Sequence, residues 1–154
     1  IDDDFVLTES AAIVTYLGDT YGEAVALTPD HGTRDRAKYN EWTSYILMEL
    51  DAHTLYIVRK HRDLANIYGE APAAIDAAFA GFDKQIRWAL PHLDDYLVGG
   101  RFSGVDILMT TCLDWAHAYG VDLEPICHEY RARIHERPAF QSARELNFSI
   151  SAGA

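Results

Sequence analysis

Glu9 and Ser10 stand where an apolar run, Phe5-Val6-Leu7, gives way to a helical pattern carried by Ala12, Ile13, Tyr16 and Leu17. A helix that opens there presents unpaired backbone N–H groups and a partial positive charge, which suit a carboxylate ligand. The Ser10 hydroxyl can add a hydrogen bond to such a ligand. The structural alternative is that Thr8 or Ser10 only caps the helix and Glu9 only complements its dipole. Ser103 and Asp106 pose the opposite question. A Ser and an Asp three residues apart could belong to a catalytic triad, but a capping box accounts for both. Ser103 as N-cap accepts from the Asp106 N–H, and the Asp106 carboxylate accepts from the Ser103 N–H. Phe102 and Ile107 fill the two staple positions on either side, so this pair is read as structural.

Tyr39, Trp42, Tyr45, Trp115 and Tyr119 could line an apolar pocket, and they fit core positions at helical spacing equally well. Tyr45 and Glu49 sit a turn apart, off the main apolar stripe, and are candidates for a cleft or a contact between subunits. The seven histidines include no i, i+4 pair in a recognised metal motif, so no metal site is expected. His61 beside Arg62 and His128 beside Glu129 read as solvated helix faces. Cys112 lies on an apolar stripe and is expected to be buried and inert. Cys112 and Cys127 lack the close spacing of a disulfide framework, which points to a reducing cytoplasm.

The formal net charge of −11, from 24 acidic and 13 basic residues, argues against nucleic acid and against an anionic membrane surface as partners. No run approaches the roughly 18 apolar residues of a membrane-spanning helix.

The elements that must position these residues are nearly all helical, in a chain about the size of one ordinary domain. Residues 1–7 allow a short strand at best, after the acidic turn Asp2-Asp3-Asp4. A helix from Thr8 stops near Gly22, and residues 23–32 read as a linker with Thr28-Pro29-Asp30 and Gly32 as turn formers. Tyr39, Trp42, Ile46, Leu50, His53 and Ile57 then mark a long amphipathic helix. After a break near Tyr68-Gly69, Pro72 opens a helix with the stripe Ile75, Phe79, Phe82, Ile86, Leu90, Leu93 and Leu97. Pro91 predicts a kink or early end. The helix opened by Ser103 stops at Gly120. Another follows Pro125, and a short last helix follows Pro138.

Three stretches together resemble the glutathione transferase family over nearly the whole chain. Phe5-Val6-Leu7-Thr8-Glu9-Ser10-Ala11-Ala12-Ile13 with Tyr16-Leu17 looks like the end of that family's thioredoxin-like domain. Leu27-Thr28-Pro29, Arg36-Ala37 and Trp42 look like its linker and the first helix of its C-terminal domain. Leu93, Leu97, Phe102-Ser103 and Asp106-Ile107 match its buried capping box, and Arg137-Pro138-Ala139-Phe140 also fits. Val105 departs from the more usual Ala.

The resemblance implies an all-α bundle preceded by a short strand and helix. Residues 1–22 would be the remnant of the thioredoxin-like domain, 23–32 the linker and 33–154 the complete helical domain. It implies glutathione as co-substrate, its γ-glutamyl end held by Glu9 and Ser10. The electrophile pocket would draw on Tyr39, Trp42, Tyr45, Glu49, Trp115 and Tyr119, in a symmetric homodimer. The thiol-activating Ser, Tyr or Cys and the cis-Pro of the family have no counterpart here. Since residue 1 is Ile, the sequence is expected to begin inside a longer chain. The alternative is a non-catalytic binding or protein-interaction module of the same fold.

Overall fold

The computed structural model describes residues 2, 4–22 and 26–151, so Ile1, Asp3, part of the linker and the last three residues lie outside it. The helices are α1 (Ser10–Thr20), α2 (Arg34–Tyr45), α3 (Tyr56–His61), α4 (Ala65–Tyr68), α5 (Pro72–Ala89), α6 (Gly104–Ala118), α7 (Pro125–His135) and α8 (Pro138–Ser151). Two further helical pieces differ in winding: a π-helical segment, Ile46–Leu55, and a 3₁₀ turn, Leu90–His92. The strand expected near the start reduces to one antiparallel bridge between Asp2 and Phe5. A strand needs a neighbour to pair with, and among the described residues none is present.

The core forms where α2, the π segment, α5 and α6 meet. Tyr39, Ile46, Leu50, Leu55, Phe82, Val105, Met109 and Leu113 are all essentially inaccessible there. The amphipathic stripe of the long helix changes phase inside the π segment. The α-helical spacing places His53 and Ile57 on the buried side, but Thr54, Leu55 and Val58 are buried and His53 is exposed. A π turn holds more residues than an α turn, so each buried position falls later than α spacing predicts. The stripe of α5 follows expectation, with Phe82, Ile86 and Leu93 buried. Pro91 ends α5 early, at Ala89, and the chain continues as the 3₁₀ turn.

The capping box of α6 forms. The buried Asp106 carboxylate accepts from the N–H of Ser103 at 2.7 Å, the hydroxyl of Ser103 at 3.0 Å and the N–H of Leu97 at 2.9 Å. The Tyr130 hydroxyl of α7 donates to it as well. Burial pushes this carboxyl above the usual carboxylate range, while the four hydrogen bonds hold the rise down.

The Arg36 guanidinium grips both oxygens of Asp19, at 2.7 and 2.8 Å, and reaches the Pro29 carbonyl at 3.2 Å. The Gly104 N–H donates to the Leu27 carbonyl at 2.8 Å. The end of α1, the described part of the linker, α2 and the start of α6 are thereby tied together. Gly104 is required for this closeness. A Cβ there would lie 2.6 Å from the Tyr39 hydroxyl and press on Val14 of α1.

Two substitutions test this account by urea unfolding. Asp106→Asn offers one acceptor oxygen to four donors and sets an N–H₂ against them, so it should lower stability by about 2–3 kcal/mol. Thr110 is 2% exposed and its hydroxyl finds no partner among the described residues. Thr110→Val should therefore raise stability by about 1 kcal/mol.

Candidate functional site

Ahead of α1 the backbone leaves ordinary geometry, at one of two described non-glycine residues with positive φ, the other being Ala26 at 47°. Glu9, the residue preceding α1, has φ 70° and ψ 117°, a region that a residue with a Cβ rarely occupies. Holding a non-glycine residue there costs about 1–3 kcal/mol, and such strain concentrates where a side chain or backbone must be aimed at a ligand. No side chain caps the helix, and its first bond is made by the Ile13 N–H to the Glu9 carbonyl at 2.9 Å. The N–H groups ahead of Ile13 thus remain available at the N-terminus, beside the exposed side chains of Glu9 and Ser10. The bland possibility, that Ser10 or Thr8 is an ordinary side-chain cap, is not what the geometry shows.

The turn is anchored from below. Ala11 is buried, and the Thr15 hydroxyl lies 3.0 Å from that of Tyr39 on α2. Asp2 accepts hydrogen bonds from Tyr16 at 2.7 Å and Tyr21 at 2.9 Å, which hold the leading segment against α1.

The six residues considered for an apolar pocket fall into three groups. Tyr39 is wholly buried at the joint between α1, α2 and α6. Trp42, Tyr45 and Glu49 meet α5. The Tyr45 ring lies 5.5 Å from Trp42 and 4.7 Å from Trp88, and Trp42 lies 5.6 Å from His92. Gln85 joins this group from α5, receiving the Tyr45 hydroxyl on its carbonyl at 2.6 Å and donating its amide to Glu49 at 2.9 Å. Burial, with the Glu49 charge behind it, pushes the Tyr45 hydroxyl up to about 12. Trp115 and Tyr119 stand together at the end of α6, with ring centroids 5.8 Å apart. There the Tyr119 hydroxyl donates to Asp63 and the Arg62 guanidinium lies over its ring.

An apolar cleft of about 500 Å³ among the described residues is lined by other side chains, including Leu27, Phe102, Ile107, Thr110, Arg137 and Phe140. Arg137 covers the Phe102 ring at 3.6 Å. Sequence reading placed Phe102 in the staple of the capping box and Arg137 and Phe140 in a family pattern, but assigned none of them to a cleft.

The cysteines are buried, as expected for Cys112. Burial drives the Cys112 thiol far up and the Cys127 thiol to about 11, so neither is a thiolate near neutrality. Among the described residues no group of three or more His, Cys, Asp or Glu side chains is arranged to hold a metal ion. None of the described helices is long and apolar enough to cross a membrane.

Asp51 escaped the sequence reading. It lies on the π segment, where α-helical spacing gives the wrong phase, and the charge of Glu9 reaches it.

Comparison with known proteins addresses the same elements. The family model described as "Glutathione S-transferase, C-terminal domain" matches residues 45–138. Glutathione S-transferase GstA of Escherichia coli O157:H7 is 31% identical over 147 residues, spanning 93% of this chain and 69% of that protein. A probable maleylacetoacetate isomerase of Vibrio cholerae serotype O1 is 27% identical, spanning 96% of this chain and 70% of that one. The solved structure of a sphingomonad glutathione S-transferase complexed with glutathione superimposes with a TM-score of 0.78 at 25% identity, over 95% of this chain and 70% of the other. With more than half of its 154 residues matched by that model, the chain belongs to the glutathione S-transferase family.

Proposed function

We propose that the protein is a glutathione transferase that joins the glutathione thiol to small apolar electrophiles. In this reading the γ-glutamyl end of glutathione lies at the N-terminus of α1. The observation that carries it is the strained, uncapped start of α1, with Glu9 at φ 70° beside an exposed Ser10. The ligand's α-carboxylate would take the Ser10 hydroxyl and the free first-turn N–H groups. Glu9 would face the α-ammonium. The residues present thus offer an acceptor for the cationic group and donors for the anionic one, which fits this zwitterion.

The chemistry is a nucleophilic substitution or addition. The thiol loses its proton, the sulfur attacks the electrophilic carbon, and a C–S bond forms as a leaving group departs or a π bond opens. The group that stabilises the thiolate is expected from polypeptide ahead of Ile1, as the family pattern implies. Such polypeptide would also cover the exposed apolar side chains Phe5, Ile13 and Leu17. The helical body supplies walls for the electrophile, and the working form is a cytoplasmic homodimer. The relative named as a probable isomerase supports a second reading, in which the same thiolate adds to a double bond and is later expelled.

The test is calorimetric titration of glutathione into the full-length product of the gene, alongside the double variant Glu9→Ala/Ser10→Ala. Affinity in the variant should fall at least tenfold, about 1.4 kcal/mol or more. A folded full-length protein that takes up no glutathione would sink the transferase reading and leave a protein-interaction module of this fold.

A further inference from the structure

Tyr39 is wholly buried rather than open to a cleft, yet it carries a hydroxyl where Phe would fill the same space. A buried hydroxyl adds nothing to apolar packing and must find a partner to be tolerated. Its partner is the Thr15 hydroxyl of α1, 3.0 Å away. Gly104 of α6 backs the same oxygen so closely that a Cβ there would lie 2.6 Å from it. Three helices therefore meet at one oxygen atom.

What that oxygen controls follows from the way α1 is held. Ala11 and Gly18 of α1 are buried, and Val14 packs toward Gly104. These contacts set how closely α1 sits, but apolar contact is non-directional and leaves its rotation loosely set. The far end of α1 is gripped by the Arg36–Asp19 pair. Among the described residues, the Thr15–Tyr39 contact is the hydrogen bond between α1 and the helical bundle that lies nearest Glu9. Side-chain atoms stand about 5–6 Å from a helix axis, so a rotation of about 10° moves them by about 1 Å. A binding turn tolerates only about 0.5 Å before its hydrogen bonds weaken.

We propose that Tyr39 is a positioning residue for the glutathione site: its hydroxyl, bonded to Thr15 and backed by Gly104, fixes the rotation of α1 and so aims the Glu9–Ser10 turn. This rests on the glutathione reading above. Glu9 at φ 70° makes the aim sensitive to this bond, because a strained residue relaxes once the helix behind it can turn. Binding to a relaxed turn must first restore it, and that cost appears as lost affinity. Tyr39 touches no ligand in this role and acts through Thr15. A merely structural hydrogen bond would add to folding stability and leave the affinity of the folded protein untouched.

The experiment titrates glutathione calorimetrically into the full-length product of the gene and into its Tyr39→Phe, Thr15→Val, Thr15→Ser and Tyr39→Phe/Thr15→Val variants. Tyr39→Phe and Thr15→Val should each weaken glutathione binding about fivefold, the size of one neutral hydrogen bond. The double variant should bind no more weakly than either single variant, since both changes remove the same bond. Thr15→Ser keeps the hydroxyl and should bind as wild type does. Thermal unfolding gives the folded fraction of each variant at the titration temperature, by which its affinity is corrected. Corrected affinities of the single variants equal to wild type overturn the proposal. So do additive losses in the double variant, or a Thr15→Ser variant as weak as Thr15→Val. Failure of wild type to take up glutathione overturns the parent reading, and that outcome is seen before any variant is compared.

Discussion

The Asp106 carboxylate holds three separate pieces of chain in one place. It takes the Leu97 N–H from the segment after α5, the Ser103 N–H and hydroxyl from the turn into α6, and the Tyr130 hydroxyl from α7. A buried acid is unfavourable on its own, and only a full set of donors makes it tolerable. The direction of α6 follows from this cluster. Gly104 sets α6 tight against Val14 and Tyr39, so α1 and α2 are placed by the same helix start. The geometry of the candidate site at α1 is thus fixed from a point well outside it.

The legibility of the sequence tracked how local each signal was. The Asp106 box itself was readable, because Phe102, Ser103, Asp106 and Ile107 lie within six residues, whereas the donors Leu97 and Tyr130, more distant in the chain, were not. Pro91 announced the end of α5 for the same reason, since a missing N–H acts on its own turn. The pocket set was not readable as a set. Helical spacing says that Tyr39, Trp42, Trp115 and Tyr119 turn inward, but not that they turn toward one another. The π segment defeated the reading altogether. Its hydrogen-bond pattern depends on tertiary packing, so the phase that hides Thr54 and exposes His53 has no signature in the order of residue types.

At the start of α1 sequence and structure met halfway. Residue chemistry allowed a binding site or a plain helix cap, and the φ of Glu9 tilts the balance because an ordinary cap needs no strain. The strain is maintained by its surroundings: buried Ala11 beneath it, and the Thr15–Tyr39 contact one turn on. A flexible loop could not keep Glu9 in that conformation, whereas a helix bolted to two others can.

The π winding of Ile46–Leu55 has a consequence for how the chain tolerates changes of length. Each of its rings closes over one residue more than an α ring does, so the segment carries surplus chain between two fixed ends. A deletion elsewhere in a core helix would swing every later side chain by about 100°. A deletion here could be absorbed by relaxation to α winding, with Val58 still delivered to the core. What would change is which side chains of the segment itself face the core. The winding of this segment thus leaves slack in chain length even though Ile46, Leu50 and Leu55 within it belong to the core.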